Sequence, residues 1–445
     1  MNLNGKKIAV LGLGKEGREL AEFFNKSEIN ADFFDENPGV DAVQITEMGF
    51  SVKIGPDAFD NLSNYDLIFK SPGISPHHPK LHGLSGRLTS ATRLFFDVWP
   101  GEIIGVTGTK GKGTTASLIY DILTSSNRRV VLVGNIGNVE LSGIADYEKD
   151  SIAVMEISSF QLMSLGISPH IAVVLDVDSE HLDYHKDTQE YRVAKAEIVI
   201  HQKPKDYLVI TANNPAKTLF TNLTLAKVVE VGGSSKEYNT VWWQGNVLSA
   251  QIGGQEINRI INADKIKLKG RHNLNNIACA AAVGLLYNIA PDEIAQSVYK
   301  FKGLPMRLET IGTFGGIEFI NDSASTNPKT VWAAVEAMNK PTILIMGGRN
   351  KGLDYTDIIH KVKSVPNIRK VIVFGELKDD LKNLIDHGQI FIKKATLEQS
   401  LAEAKSYAES GWVVLFSPGA ASFDQFINYQ TRGQKFNKLV YEFFH

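Results

Sequence analysis

A glycine-rich segment near residue 110 has the composition of a polyphosphate-binding loop. Residues 105–115 read GVTGTKGKGTT, and they follow an apolar run typical of a strand and precede a helical pattern. Glycines allow successive backbone N–H groups to curl around phosphate oxygens, and the N-terminus of the following helix adds partial positive charge. Lys112 adds a full charge, and Thr114 or Thr115 could offer a hydroxyl to Mg²⁺. The segment therefore predicts a site for ATP.

The spacing of this segment departs from the common phosphate-binding motif, G-x-x-x-x-G-K-[ST]. Five residues lie between Gly105 and Gly111, where the motif has four, and Gly113 takes the position of the hydroxyl residue. The alternative interpretation is a surface turn rich in lysine and glycine. The strand, loop and helix that the pattern places around the segment favour the nucleotide site.

A second glycine turn lies close to the N-terminus. In LGLGKEG, Gly12, Gly14 and Gly17 form a G-x-G-x-x-G after a strand pattern, Asp35 ends the next strand pattern, and a helix is expected over Arg18–Lys26. This arrangement is typical of a dinucleotide site. The same helix N-terminus would receive the diphosphate of a UDP group equally well. A tight packing turn between strand and helix is the third interpretation, and the residues alone leave all three open.

Three side chains in the middle of the chain could serve a complex of metal and triphosphate. MEISSFQ places Glu156 at a strand end, DVDSEHLDYH places His181 after the next strand, and YRVAKAEI places Lys195 on a helix. Oxygen and nitrogen groups of this kind can coordinate Mg²⁺ near a triphosphate. Singly, His181 would be interpreted as a turn histidine and Lys195 as a surface lysine, so the prediction depends on their joint placement. His170 and His185 are interpreted as structural.

Short β-rich runs alternate with helical patterns along the whole chain, which predicts an α/β fold with largely parallel sheets. The alternation falls into three blocks, and we place the domains at residues 1–100, 101–302 and 303–445. A segment at about 232–268 alternates as antiparallel hairpins do, and a helix is expected from Asn275. Ligands of open α/β sheets bind at the carboxyl ends of the strands, so the candidate side chains are expected to meet there.

The composition argues against several classes of protein. The chain has 445 residues, with 47 basic and 49 acidic ones and a net charge of -2, so no overall field favours nucleic acid or a membrane surface. No apolar run approaches the ~20 residues that span a bilayer, and the N-terminus lacks the pattern of a signal peptide. The one cysteine, Cys279, lies in an alanine-rich run and is expected to be a buried thiol. These features predict a cytoplasmic protein with small-molecule substrates, expected to be a monomer.

Taken together, the segments resemble the Mur ligase family nearly from end to end. The order and spacing of the matching pieces are highly specific, although each piece is short. The glycine turn near the start, EISSFQ and the SPGAASFDQF ending resemble the branch that joins glutamate to UDP-N-acetylmuramoyl-L-alanine. The pieces are SPG (71–73), VTGTKGK (106–112), GNIG (134–137), EISSFQ (156–161), EHLDYH (180–185), YRVAK (191–195), GRHNLNN (270–276), GLPMRLE (303–309), INDSASTNP (320–328), GGRNKGLD (347–354) and SPGAASFDQF (417–426).

The resemblance implies a Rossmann-like N-terminal domain for the UDP substrate, a central P-loop-type ATP-binding α/β domain, and a Rossmann-like C-terminal domain for glutamate. The implied UDP-substrate residues are Gly14, Asp35, Ser71, Pro72, Gly73 and Asn135. The implied ATP residues are Gly108, Thr109, Lys110, Gly111, Lys112, Gly113, Thr114, Asn276, Arg307 and Asp322. The residues implied to bind the incoming glutamate are Thr326, Lys351, Ser422, Phe423 and Tyr429. The implied metal residues are Thr114, Glu156, His181 and Lys195, and the implied catalytic residues are Lys112, Glu156, His181 and Lys195.

The implied reaction is the ATP- and Mg²⁺-dependent ligation of D-glutamate through an acyl phosphate. It belongs to cytoplasmic peptidoglycan precursor synthesis, and so to cell-wall biogenesis, cell shape and cell division. In this family the lysine that corresponds to Lys195 is often carbamylated, which turns a cation into a metal-binding carboxylate.

The chain departs from the family pattern at several positions, and these keep alternatives open. Ala324 replaces a lysine, as in a variant branch that adds L-glutamate, while GKG in the phosphate loop is similar to folylpolyglutamate synthase. Met306 replaces a histidine, and the charged Lys15 and Glu16 replace an uncharged pair in the first glycine turn. From a different class, an NAD-dependent oxidoreductase could use that turn with Asp35. A nucleotide-binding regulator without turnover is the non-enzymatic alternative.

Overall fold

The computed structural model describes most of the chain and shows three sheets with helices packed against them. The described residues are 2–134, 141–163, 165–178, 184–233, 238–268, 270, 273–381, 384 and 391–444. The three sheets have five, nine and six strands in chain order. The prediction of an α/β fold with largely parallel sheets is confirmed.

The first sheet is entirely parallel, with the strand order β3-β2-β1-β4-β5. Its strands are β1 (Ile8–Leu11), β2 (Asp32–Asp35), β3 (Ser51–Ile54), β4 (Leu67–Lys70) and β5 (Leu88–Thr89), and its helices are α1 (Lys15–Lys26), α2 (Val43–Glu47) and α3 (Ala91–Val98). Helix α1 begins three residues before the predicted Arg18. Its start is hard to find from sequence because Gly14 and Gly17 depress the helical pattern on both sides of it.

The second sheet has the order β14-β13-β12-β11-β10-β9-β6-β8-β7. Its strands are β6 (Glu102–Thr107), β7 (Val130–Gly134), β8 (Ile152–Glu156), β9 (Ile171–Val174), β10 (Tyr207–Thr211), β11 (Lys227–Val231), β12 (Asn239–Gln244), β13 (Val247–Ile252) and β14 (Gln255–Asn262). Its helices are α4 (Lys112–Ser125), α5 (Ser159–Leu162), α6 (Thr188–Ile200), α7 (Lys217–Leu223), α8 (Asn273–Leu286) and α9 (Pro291–Lys300). Strands β12, β13 and β14 pair antiparallel, which confirms the hairpins predicted at 232–268.

The third sheet has the order β15-β16-β20-β17-β18-β19, and only the β15–β16 pair is antiparallel. Its strands are β15 (Glu309–Phe314), β16 (Ile317–Asn321), β17 (Thr342–Gly347), β18 (Ile368–Phe374), β19 (Phe391–Lys393) and β20 (Val413–Gly419). Its helices are α10 (Pro328–Glu336), α11 (Thr356–Ser364), α12 (Leu377–Asp380), α13 (Leu397–Tyr407) and α14 (Tyr429–Phe444).

By their internal contacts, the residues form two compact units. The first unit comprises Met1–Ile266 and Leu274–Lys300, and the second comprises Lys267–Asn273 and Phe301–His445. In the first unit, one buried apolar cluster runs from Phe33 of the first sheet to Leu208 of the second, so the two sheets share a core. The predicted limits at 100/101 and 302/303 fall between sheets, and they remain a prediction.

Among the described residues, no helix is both long and apolar enough to cross a membrane. Cys279 lies in α8, is fully buried and is free, as expected for a structural thiol. Burial raises the pKa of this thiol far above its usual value, so it stays protonated and unreactive.

Candidate functional site

The predicted phosphate loop lies between β6 and α4. Gly111 is the residue before the first turn of α4 and has a φ of 84°, in the left-handed region. A Cβ at this position would clash with the side-chain amide of Asn276, which reaches the loop from α8. The left-handed backbone conformation therefore favours glycine here, and a side chain would also displace the Asn276 amide. Asn276, predicted from the resemblance, thus lies beside the loop that it was predicted to serve.

The two predicted lysines meet at the same carbonyl group. The Nζ of Lys112 donates to the backbone oxygens of Gly108 and Thr109, both at 3.0 Å. From α6, the Nζ of Lys195 also donates to the Gly108 oxygen at 3.0 Å, and to the Thr107 hydroxyl at 3.3 Å. Two cationic groups that converge on one loop produce a positive field suited to a polyphosphate.

Glu156 lies on the strand next to this loop. It is the last residue of β8, pairs in register with Val106 of β6, and is 8% exposed. Strand β6 ends at Thr107, and the loop begins at the next residue. The Glu156 carboxylate and the two lysines therefore share one edge of the sheet. The sequence had predicted this edge from the carboxyl ends of the strands.

The oxygen groups around this edge suit a hard cation. Carboxylate and hydroxyl oxygens are the ligands that Mg²⁺ prefers, and Glu156 and the threonines at the start of α4 supply them. The Thr115 hydroxyl is buried and has no hydrogen-bond partner within the described part of the chain, whereas the predicted Thr114 is half-buried. Lys195 is an unmodified lysine in this structure, and an ammonium group has no lone pair for a metal, so its predicted metal role requires modification and stays a prediction.

Two of the predicted residues, His181 and Asn135, lie outside the described residues. Within the described ranges, no group of three or more His, Cys, Asp or Glu side chains is placed to hold a metal ion. Because His181 belongs to the predicted metal set, that set stays a prediction.

Sequence reasoning missed the role of Tyr191. Its hydroxyl lies 3.1 Å from the Thr109 hydroxyl, and its ring lies 4.8 Å from the Nζ of Lys195. The Thr109 hydroxyl also accepts from the backbone N–H of Asp178 at 2.9 Å. Tyr191 therefore holds both the loop and Lys195. The signal that could have found it is the i, i+4 spacing of tyrosine and lysine in YRVAK.

The first glycine turn connects β1 to α1. Gly12 has a φ of 91°, and a Cβ on Gly17 would clash with the Gly12 carbonyl, so both glycines are required by the backbone. Asp35, at the end of β2, accepts the backbone N–H of Leu13 at 2.8 Å and that of Asn37 at 2.9 Å. Its carboxylate therefore fixes the shape of the turn.

Ser71, Pro72 and Gly73 follow β4, the strand next to β1. The backbone N–H of Ser71 donates to the Leu11 carbonyl at 2.9 Å, which holds the SPG segment against the first glycine turn. Gly14, the N-cap residue of α1, has no side chain to cap the helix and is exposed. The described residues of the predicted UDP-substrate set thus share one sheet edge.

The remaining predicted residues lie in the second unit. Asp322 follows β16 and is 8% exposed, and its two oxygens accept from the Ser417 hydroxyl at 2.7 Å and the Leu308 N–H at 3.1 Å. Burial raises the pKa of Asp322 to about 7. Arg307 is exposed and belongs to the same unit.

The residues predicted to bind glutamate lie on loops at the carboxyl ends of strands of the third sheet, except Tyr429, which lies in a helix. The Nζ of Lys351 lies 4.9 Å from the ring centre of Phe423. Ser422 is buried in the loop after β20, Tyr429 begins α14, and Thr326 is exposed between β16 and α10.

Sequence reasoning missed Arg432, which joins these loops. Its guanidinium is fully buried and donates to the Ser323 carbonyl at 2.9 Å, the Ala420 carbonyl at 2.9 Å and the Gly347 carbonyl at 3.3 Å. Gly347 ends β17, while Ser323 and Ala420 follow β16 and β20, so the arginine ties together the carboxyl ends of three strands. Nothing in the local sequence distinguishes it from an exposed helical arginine.

The fold and the phosphate loop define a nucleotide-binding α/β protein. Three domain models of one family match the chain: the MurD-like N-terminal domain of Mur ligases at residues 6–87, the Mur ligase middle domain at 106–284, and the Mur ligase glutamate ligase domain at 306–419. The chain belongs to the Mur ligase family. The matches confirm the predicted architecture of three domains.

Full-length relatives support this assignment. The chain is 31% identical to a UDP-N-acetylmuramoylalanine–D-glutamate ligase of Clostridium botulinum and 32% identical to one of Clostridium kluyveri, in each case over 98% of this chain and 96% of the relative. Among solved structures it is similar in fold to the MurF ligase of Thermotoga maritima in complex with ADP, with a TM-score of 0.59 and 17% identity over 99% of this chain and 97% of that one. UDP-N-acetylmuramate–alanine ligase MurC of the same organism gives a TM-score of 0.57 and 17% identity, over 98% and 99%.

Proposed function

We propose that this protein is a cytoplasmic ATP-dependent ligase that joins D-glutamate to UDP-N-acetylmuramoyl-L-alanine in peptidoglycan precursor synthesis. The observation that carries the proposal is the convergence of Lys112 and Lys195 on the Gly108 carbonyl, beside Glu156, in a chain that belongs to the Mur ligases. Full-length relatives that carry this activity in their names support the choice of substrates. The family favours a ligase over the oxidoreductase that the first glycine turn alone had left open.

The chemical problem is that a carboxylate is a poor electrophile. The alanyl carboxylate of the substrate attacks the γ-phosphorus of ATP, which breaks the bond to ADP and gives an acyl phosphate. The amine of glutamate then attacks the acyl carbon, and the tetrahedral intermediate expels phosphate to leave the amide. Lys112 and the helix N-terminus after it stabilise the charge that moves along the phosphates. The first turn of α1 receives the UDP diphosphate.

Glu156, His181 and a threonine hydroxyl at the start of α4 are the groups proposed to hold Mg²⁺. The ion would neutralise phosphate charge during transfer. Lys195 joins this set in a carbamylated form, and as an ammonium group it instead supports the loop through Gly108. In the second unit, Lys351 pairs with a carboxylate of glutamate, and Ser422 and Thr326 offer neutral hydrogen bonds.

Phosphate release is the direct test of the proposal. We expect rapid release only when ATP, Mg²⁺, UDP-N-acetylmuramoyl-L-alanine and D-glutamate are present together, and much slower release when L-glutamate replaces D-glutamate. Lys112→Ala should lower kcat by about 10²-fold or more, since it removes a charge that acts on the transferring phosphoryl group.

Lys149→Ala is the matched control, because Lys149 is exposed and precedes β8, at the opposite end of that strand from Glu156. It should leave kcat unchanged. Equal or faster turnover with L-glutamate would replace D-glutamate by the L-adding alternative that Ala324 suggested. Turnover of NADH without any demand for ATP would overturn the proposal.

A further inference from the structure

Glu16 lies in the first turn of α1 with an unusual environment for a carboxyl group. One oxygen, Oε1, accepts from the side-chain amide of Gln161 at 3.3 Å. The other, Oε2, is buried and has no hydrogen-bond partner among the described residues. Within the described part of the chain, only one of the two carboxyl oxygens is therefore hydrogen-bonded.

The orientation of Gln161 is fixed by the segment that carries it. Its side-chain oxygen accepts from the backbone N–H of Ser158 at 3.0 Å and from the Ser158 hydroxyl at 3.1 Å. Only the NH₂ group is left to face Glu16, so the amide cannot turn to accept a proton from the carboxyl group. The bond from Gln161 favours the ionised form of Glu16.

The charged groups around Glu16 do not outweigh the effect of its burial. The nearby groups are Lys15 and Glu19 on α1 and Lys70 at the end of β4. The Nζ of Lys70 donates to the carbonyls of Ser71 and Ile74, at 3.2 and 2.7 Å, and to the Tyr184 hydroxyl at 3.4 Å. Its three hydrogen bonds thus go to neutral oxygens. Burial is the dominant effect, and it raises the pKa of Glu16 to about 7 and lowers that of Lys70 to about 8.

This placement creates a conflict with the ligand expected at the same helix end. A diphosphate at the N-terminus of α1 would lie against the first helical turn, which contains Glu16. A second negative charge there disfavours binding, whereas a neutral carboxyl group does not. The conflict follows from the position of Glu16 in the first turn of α1 and from the buried, unpaired Oε2 of its carboxyl group among the described residues.

We propose that Glu16 takes up a proton from solvent when the UDP diphosphate binds at the N-terminus of α1, so that the protein binds its UDP substrate with this side chain neutral. The proposal rests on the function proposed above, because it assumes that the first glycine turn receives the UDP group. Glu16 is then a specificity-determining residue for the UDP substrate, and its effect depends on pH.

The sign of the pH dependence follows directly. When the pH is below the pKa that Glu16 has in the protein before the substrate binds, the carboxyl group is already protonated, and binding requires no further proton. Above it, each pH unit raises the Kd for the UDP substrate by up to about tenfold, because the proton must be taken up on binding. Lys70 also titrates toward the alkaline side, so the comparison must be made between variants at equal pH.

The test is calorimetric titration of the whole protein with UDP-N-acetylmuramoyl-L-alanine between about pH 6 and about pH 8. Two buffers with different heats of ionisation report the number of protons taken up. For the wild type we expect proton uptake near the upper end of this range and a Kd about tenfold higher at about pH 8 than at about pH 6. Glu16→Gln should strongly reduce both effects, leaving only the contribution of Lys70 at the upper end of the range, and at the upper pH it should bind up to about tenfold more tightly than the wild type.

Glu22→Gln is the matched control, because it removes a carboxylate from the same helix outside the first turn. It should keep the pH dependence of the wild type. Gln161→Leu is a second variant, in case Glu16→Gln does not fold. It removes the bond that favours the ionised form, so the midpoint of the pH dependence should move to higher pH.

Two results would overturn the inference, and they separate it from the proposed function. If the wild type binds the UDP substrate without pH dependence or proton uptake, the role of Glu16 is wrong while the UDP site stands. If the wild type binds no UDP substrate at any pH, the proposed function fails together with the inference.

Discussion

Ionisation of the Asp322 side chain is expected to destabilise the folded protein, whereas ionisation of most carboxyl groups in folded proteins does not. Burial raises its pKa from the usual 3.8 to about 7, so the folded protein binds a proton more tightly than the unfolded chain does. Between these two values the folded state therefore loses stability as the pH rises. We expect Asp322→Asn to stabilise the second unit relative to the wild type, by a difference that grows from about pH 4 to about pH 7 and then stays constant.

Asp354 provides a control with the opposite sign. The Thr356 side chain and its backbone N–H, at 2.8 Å, hold the pKa of this exposed carboxyl group below its usual value. Asp354→Asn should therefore lose a small stabilisation that is present at neutral pH and disappears in acid. Urea unfolding over the pH range measures both variants. An Asp322→Asn protein with the pH dependence of the wild type would contradict the burial argument.

At the scale of single residues, the sequence could predict groups whose role depends on motif spacing. Lys112, Glu156 and Lys195 were predicted in this way, and the structure brings them to one sheet edge. The environments of Glu16 and Arg432 could not be predicted, because burial arises from contacts between segments distant in the chain. A helical glutamate or arginine looks the same in the sequence whether it is exposed or buried.

At the scale of the elements, α10 begins with a defined cap close to Thr326, a residue predicted to bind the substrate glutamate. The side chain of Asn327, which comes directly after Thr326, accepts from the backbone N–H of Thr330 at 3.0 Å. We expect Asn327→Ala to lower the free energy of unfolding by about 1 kcal/mol. It should also raise the KM for glutamate, because the uncapped turn no longer holds the segment before it.

Helix α13 offers a matched control in the same unit. Thr396 caps it by accepting from the backbone N–H of Gln399 at 3.2 Å. None of the residues predicted to bind the substrate glutamate lies in this helix. Thr396→Ala should cost a similar free energy of unfolding without changing the KM. Thermal unfolding and initial-rate kinetics measure the two effects. An equal rise in KM for both variants would mean that the unit as a whole, and not this cap, sets the affinity for glutamate.

The elements themselves were largely predictable, because each strand pattern ends at a glycine or polar turn. The hairpins at 232–268 follow from alternation, and the helix expected from Asn275 begins at Asn273. Element boundaries were less predictable. Helix α1 begins at Lys15 because the chain can enter a helix directly from a glycine turn, and propensity alone disfavours the residues beside Gly14 and Gly17.

At the scale of the whole molecule, the three blocks of the sequence correspond to three sheets but to two compact units. The first and second sheets share one buried apolar cluster, which contains Phe33, Trp99 and Leu162. The sequence could indicate three domains because motifs repeat the unit of strand, loop and helix. It could not indicate which sheets share a core, since apolar faces carry no mark of the partner against which they pack.

The two units lead to a prediction about where each ligand acts. Backbone N–H groups in the first turn of a helix have no partner within that helix, so a bound phosphate protects them from hydrogen exchange. In the first unit, UDP-N-acetylmuramoyl-L-alanine should slow exchange at residues 12–18 and 71–74, and a non-hydrolysable ATP analogue should slow it at 108–115. Glutamate should act in the second unit, at 322–327 and 417–423.

Hydrogen exchange followed by mass spectrometry resolves these segments in the intact protein, with β18 as an internal reference because its core residues are fully buried. The outcome decides between the two glycine turns, which carry the same type of helix N-terminus and differ chiefly in their charges. If the UDP substrate protected 108–115 and left 12–18 unchanged, the two turns would have exchanged roles. Lys112 and Lys195 make that exchange unfavourable, because the turn that they line holds two cations for a triphosphate, whereas the first turn contains Glu16.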